Sequence, residues 1–261
     1  MKIIYRLLLI SISTIYSCKD TGASQEILKE DTSVIINAKT NHQLRKIKKA
    51  TVVPKIDGIA NDVAWSSAKW YDLNERWLGK EYSTEDFEGR YKLTWTSQAI
   101  YILAEIKDDI LYDKESDPLN LWWDDDCLEI FIDADNSGGG HQFTHNAFAY
   151  HVALDGNVVD VAPGSVPTLY NNHVISQRKT IDNTPIWECK MTVYGDSYKD
   201  DQLNDPVLLS AKQQLGFALA YCDNDTSSER ENFIGSVAIP GKDKNRGWID
   251  AGVFGTIELL E

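Results

Sequence analysis

Apolar and polar positions alternate with period two along much of the chain. Tyr91-Lys-Leu-Thr-Trp-Thr96 places Tyr91, Leu93 and Trp95 on one face, the pattern of a half-buried strand. After Ser97-Gln98, the run Ile100–Lys107 predicts its hairpin partner, and Asp108-Asp109 end it. Leu128, Ile130 and Ile132 alternate with Cys127, Glu129 and Phe131, so a carboxylate shares a strand face with a thiol and an aromatic ring. Asn146–Leu154 resumes as strand, and Asp155-Gly156 predicts a hairpin turn into Asn157–Val161. Further strands are expected over 172–177, 186–194, 215–222, 234–239 and 256–260.

No long segment of period 3.6 interrupts this rhythm. Asn61 or Asp62 is placed to cap one helical turn ahead of Val63-Ala64-Trp65, with Trp65 in the core. About ten short strands separated by Gly, Pro, Asn and Asp predict an all-β fold, an antiparallel β-sandwich of jelly-roll type. Residues 70–90 read only as loop and edge strand. Residues 50–261 form one expected domain, a length that all-β domains often reach.

The N-terminus has a different character. Lys2 and Arg6 flank a short apolar run, Leu7–Ile10, followed by Ser17-Cys18, the pattern of a secretory signal over residues 1–17. The run is too short to span a bilayer. It resembles a bacterial lipoprotein signal in which Cys18 becomes the lipidated first residue; Tyr16 departs from that pattern. Lys19-Asp20 resembles a surface-export signal. The expected location is therefore the bacterial outer membrane, periplasmic or surface-exposed, with membrane contact through the lipid anchor only. The alternative is a secreted protein with an incidental cysteine. Residues 18–49 are polar, with basic residues at 39, 45, 46, 48 and 49, and read as a linker.

A net charge of −14 argues against nucleic acid and anionic polysaccharides as partners, and is compatible with neutral sugars and structural cations. Cys127, Cys189 and Cys222 sit in expected strands without metal-ligand spacing. They read as buried thiols, or as one free thiol with a Cys189–Cys222 pair. His141 and His145 are four apart in a Gly-flanked loop, a poor setting for two-His ligation.

The candidate chemistry concentrates in Leu121–Asp135, where two tryptophans precede three carboxylates. A flat indole covers sugar C–H bonds, and a carboxylate accepts strong hydrogen bonds from hydroxyls. Adjacent Trp122 and Trp123 on a strand would face opposite sides, one toward the core and one toward a ligand. Asp126 joins the candidate acceptors. Asp133, Asp135 and Asn136, ahead of three glycines, form a turn with clustered oxygen ligands that suits Ca²⁺, although the spacing matches no EF-hand.

Four segments in order resemble the family 9 carbohydrate-binding modules and their β-sandwich relatives: Val53–Gly58 with Trp65; Tyr91–Trp95 with Ile100-Tyr101 and Ile106–Asp108; Trp123–Asp133; and Phe254-Gly255 before the last strand. The resemblance implies a sugar held between two tryptophans, matched by Trp123 and Trp248. It also implies hydrogen bonds from positions matched by Glu129 and Asn245, and structural calcium. It favours Trp123 as the outward-facing member of its pair. The family's arginine is missing from Phe148–His151, so Tyr150 or His151 takes its place or the sugar is held differently. The expected role is non-catalytic binding of neutral mono- or oligosaccharides, beside glycan-degrading enzymes. A glycan-active enzyme on the same sandwich is the alternative. A haem-binding sandwich would need axial ligands, and Met191 alternates into a core strand.

Overall fold

The structure, a computed structural model, describes residues 42–261. The proposed signal, the lipidation site Cys18 and most of the expected linker lie outside the described residues. Fourteen strands build two sheets: β1 (Arg45–Lys48), β2 (Tyr71–Leu73), β3 (Glu75–Leu78), β4 (Phe87–Thr96), β5 (Ala99–Asp108), β6 (Cys127–Asp133), β7 (Phe148–Ala153), β8 (Val158–Ala162), β9 (Val166–Leu169), β10 (Val174–Ile181), β11 (Thr184–Met191), β12 (Gln214–Asp223), β13 (Asn232–Gly235) and β14 (Gly255–Leu260).

The first sheet runs β1-β14-β12-β6-β7-β8-β9. Midway along β12 the partner changes. Gln214–Phe217 pairs with β14, Ala220–Asp223 pairs with β13, and β13 in turn pairs with β3. The second sheet runs β10-β11-β5-β4-β2. Every pairing is antiparallel except β1 with β14. The sandwich expected from the alternation is present.

Two of these strands, β1 and β9, were not expected, and two more, β2 and β3, were expected only as edge strand without a position. β1 draws the last residues of the expected linker into the sheet. Its sequence is Arg-Lys-Ile-Lys, and only Ile47 is buried, so its apolar signal is a single residue. β2 and β3 are three and four residues long inside the unplaced 70–90 stretch. β9 carries Pro167, which an edge strand tolerates because its outer N–H needs no partner.

The main core lies between the sheets. Leu128, Ile130 and Ile132 of β6 meet Tyr91, Leu93 and Trp95 of β4 there, with Phe217, Leu219 and Tyr221 from β12. Trp95 is fully buried and donates from Nε1 to the Leu260 carbonyl at 2.9 Å. The opposite face of the first sheet carries a second cluster, with Phe131 of β6 among Trp77, Phe233 and Phe254. On that face Ala149, Ala218 and Ala220 hold the neighbouring positions on β7 and β12, so it is not filled by side chains at its centre.

A third apolar cluster covers the outer face of the second sheet and contains Trp65. The α-helical turn α1 (Val63–Ser66) follows Asp62 as expected, but the Asp62 side chain makes no cap and accepts instead from the Lys55 amide. A buried carboxylate fixes this opening segment. Glu188 of β11 accepts from the amides of Asp57, Gly58 and Ile59 at 3.0, 2.9 and 3.3 Å and from Trp65 Nε1 at 2.9 Å. Gly58 adopts φ +74°, which the tight turn into that carboxylate requires.

Glu188→Gln sets an amide NH₂ against donors. It is expected to cost about 2–4 kcal/mol, because charge-assisted bonds are lost and a donor is left facing donors. A lowered urea midpoint at unchanged slope would show it; an unchanged midpoint would contradict this role.

Candidate functional site

The half-filled outer face of the first sheet is the floor of a cleft of about 600 Å³, within the usual range of roughly 300–1,000 Å³ for ligand sites. β6, β7 and β8 supply the floor, and four loops build the walls. Trp122 and Trp123 come from the loop before β6, and His141 and Phe143 from the loop after it. Arg230 comes from the β12–β13 loop, and Asn245 and Trp248 from the segment before β14.

Trp123 and Trp248 both line this cleft and are 37 % and 46 % exposed, whereas Trp122 is 8 % exposed. Trp122 is the buried member of the adjacent pair, as expected, although it too lines the cleft. The cause differs, because residues 121–126 form a turn and not a strand. Leu121 has φ +50° at that turn. Trp122 packs edge-on against Trp123, with ring centroids 4.8 Å apart and planes at 80°, and lies 6.2 Å from the His151 ring. The rim is thus coupled to the floor.

Glu129 stands at the centre of the floor with 1 % exposure. A carboxylate buried there needs compensation. Its Oε2 lies 3.3 Å from His151 Nε2, directly across the β6–β7 pair, and 4.0 Å from Cys222 Sγ on β12. Burial alone would lower the His151 pKa; the Glu129 charge and hydrogen bond outweigh it and raise it. Asp160 accepts from the Ala149 and Val161 amides at 2.8 and 2.7 Å, and burial pushes its carboxyl up to about 7 against those bonds. Asn245 lines the cleft with its Oδ1 buried and without a protein partner, an acceptor left for something else.

The sequence reading missed Arg230. Its guanidinium lines the cleft, stacks 4.2 Å from the Phe233 ring and donates from Nη1 to Cys222 Sγ at 3.1 Å. Its backbone amide is held by Asp124 Oδ1 at 3.1 Å. It comes from a loop with no periodic signal, so only its charge could have drawn attention to it.

Two expected site residues lie elsewhere. Tyr150 is fully buried between the sheets, on the opposite face from His151, with its hydroxyl 2.8 Å from His173 Nδ1. Of the two candidates to replace the missing arginine on β7, only His151 reaches the cleft. Asp126 is also fully buried, accepts from the amides of Tyr112 and Asn224 at 2.6 and 2.8 Å, and does not line the cleft. Asp125 likewise accepts from Lys114 and Glu115. The acidic triplet fastens the cleft loops.

The three described cysteines are free and buried, with Cys189 in the main core and Cys127 paired across strands with Cys222. His141 faces the Gly247 carbonyl at 2.7 Å, whereas His145 faces Asp200 at 2.8 Å, so the two share no site. Met191 is buried in the main core.

In the turn considered for calcium, Asp133 Oδ2 accepts from Gly138 N at 2.7 Å and Asp135 Oδ1 from Ser137 N at 2.9 Å. Asn136 Nδ2 donates to Thr256 Oγ1 at 3.4 Å. These contacts shape the turn itself. Carboxylates gather elsewhere, at one end of β5 and β12. Oxygens of Asp108, Asp223 and Asp225 lie within 4.8 Å of one another, and so do those of Asp86, Asp109 and Asp225. Asp223 is 2 % exposed, and its Oδ1 and that of Asp225 are buried without a hydrogen-bond partner. Burial first, then the neighbouring carboxylates, push Asp223 up to about 8 and raise Asp126 and Asp225 as well. An all-carboxylate set of this kind has the oxygen-donor chemistry that a hard divalent cation takes.

A β-sandwich with an aromatic-rimmed, polar-floored cleft on one sheet defines the class: a small-ligand-binding sandwich. The chain belongs to the carbohydrate family 9 binding domain-like family, whose model matches residues 56–261. A family 9 carbohydrate-binding module from Caldicellulosiruptor kristjanssonii, solved with cellotriose, superposes with a TM-score of 0.60 at 20 % identity over 83 % of this chain and 94 % of that one. The same module with glucose gives 0.59 at 20 % identity, over 82 % and 95 %. Endo-1,4-beta-xylanase A of Thermotoga neapolitana is 28 % identical over 88 residues, 34 % of this chain; the match spans 8 % of the enzyme's length.

Raised carboxylate pKa values fix the sign of a pH effect. The stability they contribute is full below the unfolded value near 4 and is lost as pH rises through about 8. In chelator, the melting temperature is expected to fall as pH goes from 5 to 9, a range set by that shift. Millimolar Ca²⁺ should flatten the fall, and Asp223→Asn should abolish the calcium effect. Scanning calorimetry with and without EDTA checks this; equal slopes in both would contradict cation binding at this corner.

Proposed function

We propose that the cleft binds the end of a neutral mono- or oligosaccharide, with its ring laid against Trp123 and Trp248 and its hydroxyls bonded on the floor. One observation carries the reading: the two most exposed tryptophans among the described residues line a single cleft, with Glu129 and His151 on its floor and Arg230 and Asn245 in its walls. Indole faces exclude water from the apolar side of a pyranose, at about 25 cal/mol per Å² of buried area. The charged groups form charge-assisted bonds to hydroxyls. Arg230 supplies the guanidinium that β7 lacks, brought in from a loop. The glucose and cellotriose bound by the C. kristjanssonii module support this ligand class.

Binding without turnover is the favoured reading. Both cleft carboxylates are engaged by the scaffold: Glu129 by His151, and Asp160 by two backbone amides. Both rise from one sheet, on β6 and β8 with β7 between them, and do not flank a bond from two sides as paired glycosidase carboxylates do. The resemblance to a segment of a xylanase is compatible with a partnership with glycan-degrading enzymes. The signal-like N-terminus and Cys18 make an outer-membrane lipoprotein the proposed setting, periplasmic or surface-exposed.

Calorimetric titration with glucose, cellotriose and a panel of xylo-, manno- and galacto-oligosaccharides tests the reading. Trp123→Ala and Trp248→Ala are each expected to weaken binding about tenfold or more, the equivalent of roughly 1.4 kcal/mol. Arg230→Gln should weaken binding while leaving the fold intact. Saturable binding that survives both tryptophan variants, or no binding across the panel, would overturn it.

A further inference from the structure

Below the cleft floor, three potential soft ligands converge. Cys127 on β6 and Cys222 on β12 are directly opposed in the strand register and point to the same face. His151 on β7 lies on the other side of β6. The two sulfurs and a ring nitrogen of His151 all lie within 4.8 Å of one another. Glu129 Oε2 adjoins them, 4.0 Å from Cys222 Sγ and 3.3 Å from His151 Nε2.

We propose that Cys127, Cys222 and His151, with Glu129 as the oxygen ligand, form a binding site for a thiophilic divalent cation of the zinc type. Three features support it. The first is spacing. A tetrahedral zinc with S and N ligands sets its donor atoms about 3.5–3.8 Å apart, so these groups need to close by about 1 Å or less. The second is the outer support of the histidine. Its Nδ1 lies 3.3 Å from the Ala149 carbonyl, the partner that would hold the N–H of a ligating imidazole and leave Nε2 to face the metal. The third is charge. The Arg230 guanidinium stands 3.1 Å from Cys222 Sγ, so the pocket already accommodates one positive charge against this sulfur.

The ion would replace Arg230 at the sulfur. The guanidinium has somewhere to go, because it already borders the open cleft. Metal loading and the orientation of Arg230 in the sugar site would therefore be linked. The metal site shares Glu129 and His151 with the sugar reading, and it adds the Cys127 and Cys222 thiols, which that reading does not use.

Cobalt(II) titrated into the reduced full chain is the probe. One equivalent is expected to give intense tetrahedral d–d bands and a near-ultraviolet thiolate-to-cobalt charge-transfer band. Zn²⁺ should displace the ion and bleach both. The double variant Cys127→Ser with Cys222→Ser retains Cys18 and Cys189 and should lose the charge-transfer band. Zinc-edge X-ray absorption on the loaded wild type should show two sulfur neighbours, a readout that needs no variant to fold. Weak oxygen-type cobalt bands alone would overturn the proposal and point to the acidic corner. It would also be overturned by a band that persists in the double variant, by a zinc shell without sulfur, or by a Cys127–Cys222 disulfide in the protein as isolated. Sugar affinity measured in parallel keeps the two readings separable: failure of the metal site with intact sugar binding removes only this inference.

Discussion

A carboxylate buried in the middle of a sheet face must be neutralised, and Glu129 imposes that requirement on everything around it. His151 answers from the next strand, and Cys222 and Arg230 from the other side. An apolar lid over this face would leave these polar groups without water or ligand to serve their remaining bonds. The loops therefore surround the face and do not cover it, and alanines at 149, 218 and 220 keep the floor low. The cleft follows from the packing of one charged residue.

Much of this was legible from period-two alternation, because a strand's two faces are fixed by residue number alone. Glu129 falls out of phase with Leu128, Ile130 and Ile132, which puts it on the face away from the core. The same rule separates Tyr150 from His151: Tyr150 is in phase with Phe148 and Val152, and all three lie in the main core. Asp126 falls outside the rule, because it precedes β6 in the turn. Where the rule has no purchase, the sequence is mute. Arg230 and Trp248 come from irregular loops, so the cleft's second wall depends on where long connections travel. β1 shows the other limit, a strand recruited by pairing with β14 while carrying one buried apolar side chain.

The acidic residues divide by how they are compensated. Glu188 faces four N–H donors, and Asp124, Asp125 and Asp126 each hold backbone amides of the loops beside the cleft. These carboxylates act as fasteners, which explains why an acidic run beside two tryptophans need not be a row of ligands. The corner at the ends of β5 and β12 differs. Tyr221 donates to Asp108 at 2.6 Å and ties the two sheets there, and the Ile110 amide donates to the other oxygen of Asp108 at 3.0 Å, yet the carboxylates still crowd one another. Like charges this close are relieved by protons or by a cation.

A site with few polar contacts gains affinity mainly by being formed before its ligand arrives. An indole has only two side-chain torsions to fix, so an exposed tryptophan on a rigid base loses little entropy on binding. Trp123 has that base. Trp122 is packed beneath it and touches the ring of His151, which is anchored in turn by Glu129. Gly247 precedes Trp248, and a Cβ there would lie 3.3 Å from the Phe131 ring, tighter than an ordinary contact, so glycine eases the close passage of this segment over the floor. The two aromatic walls are thus positioned by separate contacts that both end on β6, at Glu129 and Phe131, alternate residues of one strand face. Geometry at the rim is therefore inherited from the most rigid part of the sheet, and it is the spacing along β6 that sets how the walls stand relative to each other.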